Sequence, residues 1–561
     1  MIMYRTVPGL LLTALAAASL HAEPLRQESR LPAASVSLPL TELARSMPAA
    51  QASAGPAQTV IPLRLVTPAM KNRAQQPAAS AATGAAALGA APESALQAGA
   101  GAVMPKVYTS GTGVNVEGIV SNNTVAPADP NGAAGATQYV QWVNTRLAVY
   151  NKADGALLLG PVPGNILFAG FTGSPGADAC ANSNFGDPIA QYDKLARRWI
   201  LTQFAWDPAN TATGPYYQCI AVSTSPDATG TYYRYVLESR TSGGAVAFND
   251  YPKLGVWPDA YVLTSVLFEN AVDGSYLGPQ VCGLQRAAML AGAAAAVRCF
   301  DLGDAYGPVL PSDLDGKRLP PHGSPNYLLS VDFNADGSGD HLFMWRFSFT
   351  RNTLSSPITI PVAPFTIACP SRFGGACVQQ PAPGEPLDAL GDRLMYRLAY
   401  RNFGRHESLV VNHSVQQPGA PTDGPVGVRW YELRKLSATP GVHQQGTWAP
   451  DANSRWMGSI AMDRLGNIAL GYSISGPKVF PGIRYTGRLR GEPLGRLGRE
   501  AVIVRGGGVQ VDTLNRWGDY SAMTVDPVGD CKLWYTQQYQ AETGRFNWHT
   551  RIANVRFKNC W

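Results

Sequence analysis

Charged residues are scarce in this chain, 15% of 561 residues, and no run of lysine and arginine stands out behind a formal net charge of only +6. A nucleic-acid partner is therefore not expected, since it needs a clustered basic face. No G-x-S-x-G elbow, H-E-x-x-H pair, Walker loop or Rossmann glycine pattern occurs, which leaves serine hydrolases, zincins and nucleotide enzymes without support. Cysteine pairs with zinc-ligand spacing are also missing. No apolar run reaches the roughly 20 residues that span a bilayer.

What is present begins with Arg5, an apolar run from Val7 to Leu20, and Leu20-His21-Ala22 before Glu23. That order predicts a signal peptide over residues 1–22 and a secreted protein, extracellular or periplasmic, without a membrane span. The eight cysteines, Cys180, Cys219, Cys282, Cys299, Cys369, Cys377, Cys531 and Cys560, all lie in the later part of the chain. An even number in an exported chain predicts disulfides, and their positions within the repeats described below suggest sequential pairing. Residues 23–104 are rich in Ala, Pro, Ser and Gln, and read as a linker or propeptide with little core to offset ordering entropy. A helical prodomain is the rival reading, because alanine is the best helix former.

From residue 105 to 561 the texture becomes short apolar runs split by turn signals, in a chain with 58 Gly and 44 Pro. One phrase recurs: an aromatic residue, a small residue, Asp, a strand, a tight turn and an aromatic strand. Phe185-Gly186-Asp187-Pro188, Asn249-Asp250-Tyr251-Pro252 and Trp517-Gly518-Asp519-Tyr520 are its clearest copies. Weaker ones bring the repeats to seven, beginning near residues 129, 187, 250, 327, 394, 456 and 519. Each has room for four strands, so the expected fold is all-β, a seven-bladed β-propeller of four-stranded antiparallel blades. The last repeat supplies three clear strands, and Val107 to Val116 is expected to provide the fourth. Tandem two-sheet sandwiches are the alternative.

These motifs, together with Arg455-Trp456-Met457-Gly458-Ser459 and Arg516-Trp517-Gly518-Asp519-Tyr520, resemble those of a group of uncharacterised secreted bacterial β-propeller proteins over roughly residues 110 to 560. The resemblance implies fold and export and no settled activity. The broad shape is also similar to sialidase-like propellers, although the Ser-x-Asp-x-Gly-x-Thr-Trp box of sialidases is missing.

In a propeller the first strands line a central channel, so the repeated Asp stands at its mouth. Asp187, Asp250, Asp519 and Tyr520 are the catalytic candidates; Asp129, Arg397, Arg455 and Arg516 are the ligand-binding candidates. Paired carboxyls or a tyrosine with an acid suit glycoside hydrolysis. His406 or Tyr400, beside Arg401 and Arg405, could serve a polysaccharide lyase, or form a plain hairpin turn. The competing reading of each Asp is structural, capping backbone N–H groups at a strand start. Gathered carboxylates could hold Ca²⁺. Asp332-Phe333-Asn334-Ala335-Asp336-Gly337 copies the start of an EF-hand loop, but Phe343 stands where Glu belongs, which favours an Asp/Gly turn between the first two strands of its blade. The expected function is recognition of a glycan or extracellular protein by a monomer through the channel mouth. The alternative is a carbohydrate-active hydrolase or lyase.

Overall fold

The computed structural model describes residues 25–47, 58–61, 64, 96–97 and 109–561. The expected signal peptide lies outside the described residues. Among the described residues no helix is long and apolar enough to cross a membrane.

The chain is built from antiparallel sheets. Seven units follow one another among the described residues, each running strand to neighbouring strand in sequence order. Their first strands are Asn131–Ala134, Gly186–Asp193, Phe248–Val256, Leu310–Asp315, Met395–Asn402, Ser454–Met462 and Ala522–Val525. Each first strand packs against the next, and Ala522–Val525 packs back against Asn131–Ala134, so the contacts close into a cycle. Between units four and five the first strands also pair in parallel, Ser312 to Leu398 through Asp315 to Arg401. Side chains tie other neighbours: the Ala190 amide donates to Asn131 Oδ1 at 2.9 Å, Val256 to Asp313 Oδ1 at 2.9 Å and Met523 to Ser459 Oγ at 2.9 Å.

The last unit has three strands of its own and takes Thr109–Glu117 as the fourth, paired antiparallel to His549–Phe557. This joins the two ends of the repeat region in one sheet, as the sequence led us to expect. One starting point and one turn in the sequence reading need correction. The fourth unit begins at Leu310–Asp315, and Tyr327 lies on its second strand, Asn326–Asp332. The Asp332–Gly337 turn therefore joins the second and third strands. The first strand was concealed because Leu310-Pro311-Ser312-Asp313-Leu314-Asp315 has two acids and no aromatic residue, while its carboxylates are buried only by partners distant in sequence.

The sheets pack face to face through large side chains, including the fully buried Trp142, Trp199, Trp257, Trp430, Trp456, Trp517 and Trp534. The four disulfides join Cys180–Cys219, Cys282–Cys299, Cys369–Cys377 and Cys531–Cys560, the sequential pairing. Within residues 23–104, Arg26–Leu31 adds an outer strand to the third unit and Ser35–Val36 one to the second. Helix Leu40–Ser46 buries Leu40 and Leu43.

Candidate functional site

The repeated phrase has a conformational cause. Asp129, Asp187, Tyr251, Leu390, Met457 and Asp519 all have φ between +43° and +58°, each shortly before a first strand or within its first four residues. Asp tolerates the left-handed region better than most side chains, which accounts for its use at three of these points. A register shift follows in several units, between Gly186 and Ile189, Asp250 and Lys253, and Trp456 and Ser459. Such a bulge re-aims side chains at one end of a sheet. Gly186 is required in its unit: φ is +108°, and a Cβ there would collide with the Asn144 side chain that accepts the Asp187 amide.

The turns gather Asp129, Asp187, Asp250 and Asp519 into one electrostatic group with Lys253 and Arg516. The fifth unit adds Asp388, Asp392 and Arg393. Arg516 donates to Asp388 and to Asp519 Oδ2 at 2.6 Å, and the Trp517 amide donates to Asp388 Oδ1 at 2.8 Å. Arg393 grips both oxygens of Asp392, at 2.7 and 2.9 Å. The Lys253 ammonium, fully buried, lies 3.4 Å from the Tyr251 ring centre and 4.0 Å from that of Tyr520, and donates to the Pro252 carbonyl.

Carboxyls outnumber cations here, and the protonation states follow. Burial, then the charge of Asp250, pushes Asp187 up to about 7 against the pull of Lys253. Burial likewise pushes Asp388 up to about 7 although Arg516 opposes it. Asp129 is raised by burial and by Asp519 and Asp187. Asp250 is raised by burial, with Arg64 and Arg393 pulling it back. Burial brings Lys253 down to about 8 against the carboxylates. Oδ1 of Asp129 and Oδ1 of Asp519 are buried without a hydrogen-bond partner among the described residues.

Asp250, half-buried where Asp129, Asp187 and Asp519 are buried, borders a cavity of about 850 Å³. The cavity wall includes Phe185 and Trp206, stacked with ring centres 3.7 Å apart and planes within 6°. Asn122, Asn165 and Asn182 also line it, and Leu43, Met47, Thr59, Ile61 and Arg64 of the N-terminal stretch close its other side. Among the described residues no group of three or more His, Cys, Asp or Glu is arranged to hold a metal ion.

The remaining candidates lie apart from this carboxylate cluster or are committed elsewhere. Arg397 donates to Asp313 at 2.6 Å, Asp315 at 2.7 Å and the Met523 carbonyl at 2.9 Å, deeper along the first strands. Arg455 is held by Asp451 and Glu500 of its own unit. Tyr520 belongs to the cluster, where Lys253 lies over its ring and its hydroxyl donates to the Pro188 carbonyl at 3.1 Å. Tyr400 donates to Glu407, Arg401 pairs with Asp530, and Phe403 to His406 form a hairpin turn. Asp336 accepts from the Ser338 amide at 2.9 Å within its turn. Lys253 and Arg393 were missed because each is a lone basic residue; the Leu390-Gly391-Asp392 copy of the phrase could have pointed to Arg393.

No family model matches the chain, and no curated protein matches it. Among solved structures it is similar to a polysaccharide lyase, an ulvan lyase, at 12% identity and a TM-score of 0.36, covering 78% of this chain and 96% of that one. It is also similar to a protein of unknown function from Dyadobacter fermentans, at 11% identity and a TM-score of 0.35, covering 66% and 94%. An exo-β-1,3-galactanase from Clostridium thermocellum has 12% identity and a TM-score of 0.29, covering 78% and 88%. These likenesses are distant and architectural.

Proposed function

We propose that this chain is an exported seven-bladed β-propeller that recognises a saccharide chain at its mouth. The observation carrying this reading is the cavity beside Asp250, whose wall holds the Phe185–Trp206 stack together with asparagine amides and the Asp250 carboxyl. Apolar faces of sugar rings pack against such aromatic surfaces, and their hydroxyls exchange hydrogen bonds with amides and carboxylates. The disulfides suit an oxidising compartment, which supports export. The cycle of first strands supports the propeller, because radial repetition leaves only short sheet edges.

One observation favours a second reading, a glycoside hydrolase or lyase. Burial and the charge of Asp250 push Asp187 up to about 7, and a carboxyl raised beside a second carboxyl is what acid–base chemistry on a glycosidic bond uses. Retention of the full chain on immobilised polysaccharides, followed together with release of reducing or unsaturated ends, tests both. Retention that falls at least tenfold in Phe185→Ala and Asp250→Asn is expected. Failure to retain on any polysaccharide overturns saccharide recognition; product release abolished by Asp187→Asn establishes the enzyme.

A further inference from the structure

The mouth already holds a piece of its own chain. Thr59–Val60 pair in parallel with Val125–Ala126, and the Ile61 amide donates to the Ala126 carbonyl at 2.8 Å. The Ile61 carbonyl accepts from Arg516 Nε at 2.7 Å, and the Arg64 carbonyl from Arg393 Nη2 at 3.3 Å. Arg516 and Arg393 thus donate to two backbone carbonyls three positions apart in the chain.

The Arg64 side chain then turns into a box of complementary chemistry. Its guanidinium carbon lies 5.0 Å from the Phe248 ring centre and 5.2 Å from that of Phe268. It donates to the Asn270 carbonyl at 3.4 Å and to the Ala271 carbonyl. Asp250 stands near enough for the Arg64 charge to act on its carboxyl. Aromatic faces, carbonyl acceptors and a carboxylate together suit a planar, delocalised cation with several donors better than a compact ammonium.

We propose that this box is a guanidinium-binding subsite of the mouth, filled in this chain by its own Arg64, and that the outside ligand it takes is an extended arginine-bearing peptide segment. A peptide is indicated because Arg516 and Arg393 read main-chain carbonyls and Thr59–Val60 adds strand-fashion to Val125–Ala126. The N-terminal stretch is then an intramolecular competitor, and displacing it opens the subsite. The inference shares the cavity and Asp250 with the saccharide reading, but its contacts to the Phe248 and Phe268 rings and to the Asn270 and Ala271 carbonyls are its own, and it survives that reading's failure.

The test empties the subsite in the full chain with Arg64→Ala and offers N-acetyl-arginine amide as the probe, followed by calorimetry and by thermal melting. Arg64→Ala is expected to bind the probe at least fivefold more tightly than the wild type. Millimolar probe should recover melting temperature lost by the variant, and adding Asp250→Asn should abolish both effects. Equal binding by wild type and Arg64→Ala overturns the proposal, as does binding that Asp250→Asn leaves intact. N-acetyl-lysine amide binding as tightly as the arginine probe overturns the guanidinium assignment. A glucosamine oligosaccharide that binds Arg64→Ala more tightly than the arginine probe overturns the peptide assignment.

Discussion

Two charged layers line the first strands, and they are built on opposite principles. In the deeper layer Arg397 bridges Asp313 and Asp315, Gln191 donates to Asp313 at 2.9 Å, and Lys194 stands 3.5 Å from Asp315. Burial alone would raise Asp315, but Arg397, Lys194 and Arg401 outweigh it and hold the carboxyl below its usual range. At the mouth the balance is reversed, and Asp129, Asp187, Asp250 and Asp388 are all raised. A layer whose charges are matched holds the strands together; a layer with surplus carboxyls keeps acceptors and protons for something else. Surplus buried charge is tolerated where it serves a site, and perturbed groups beside a cavity are the usual mark of one.

The comparison breaks most visibly at Arg397. Arg397→Ala should lose on the order of 3–5 kcal/mol in chemical denaturation, because it removes the cation that bridges the buried Asp313 and Asp315. Arg516→Ala should lose less, since Asp388, pushed up to about 7, can take up a proton instead. An equal loss in both variants would remove the distinction between the layers.

Lys253→Met sharpens it next. Without the ammonium between Tyr251 and Tyr520, Asp187 loses its main opposing charge and should shift further upward. The loss of stability should therefore be larger at pH 8 than at pH 5. Melting curves at the two values check this, and a loss independent of pH would show that Lys253 does not neutralise the mouth. The smallest effect is expected outside both layers. Asp336→Ala, in a surface turn, should change stability by less than about 0.5 kcal/mol by denaturant titration, and with added Ca²⁺ as without it.

What the sequence disclosed and what it concealed follow the same division. The Asp phrase is local, since a left-handed residue before a bulged strand leaves its signature within a few positions; Asp129, Asp187, Asp250 and Asp519 were therefore visible, as was closure of the last sheet by residues 109–117. Sequential disulfides were legible because each bridge spans at most 39 residues. The deeper layer was not, because Asp313 and Arg397 meet across 84 residues and nothing in either neighbourhood signals the other. Arg397 looked like a ligand-binding residue for that reason. The stretch before residue 105 showed composition only, yet Thr59, Ile61 and Arg64 reach the mouth through backbone carbonyls and one side chain, contacts that leave no pattern in a sequence.

The most direct test of the two-layer account is the difference in stability between wild type and Asp187→Asn, measured by denaturant unfolding from pH 4 to 8. Asn tolerates the positive φ as well as Asp, so the substitution removes the titration and leaves the backbone alone. The unfolded carboxyl titrates near 3.9 and the folded one at about 7, so the fold holds an extra proton between those values. Its contribution is fully present below about pH 4 and is lost as pH rises through 7. The account predicts matching stabilities near pH 4 and an Asn variant more stable by at least on the order of 1 kcal/mol at pH 8. A difference that does not change with pH, or an Asn variant less stable at pH 8, would contradict it and place Asp187 among matched structural charges like those around Arg397.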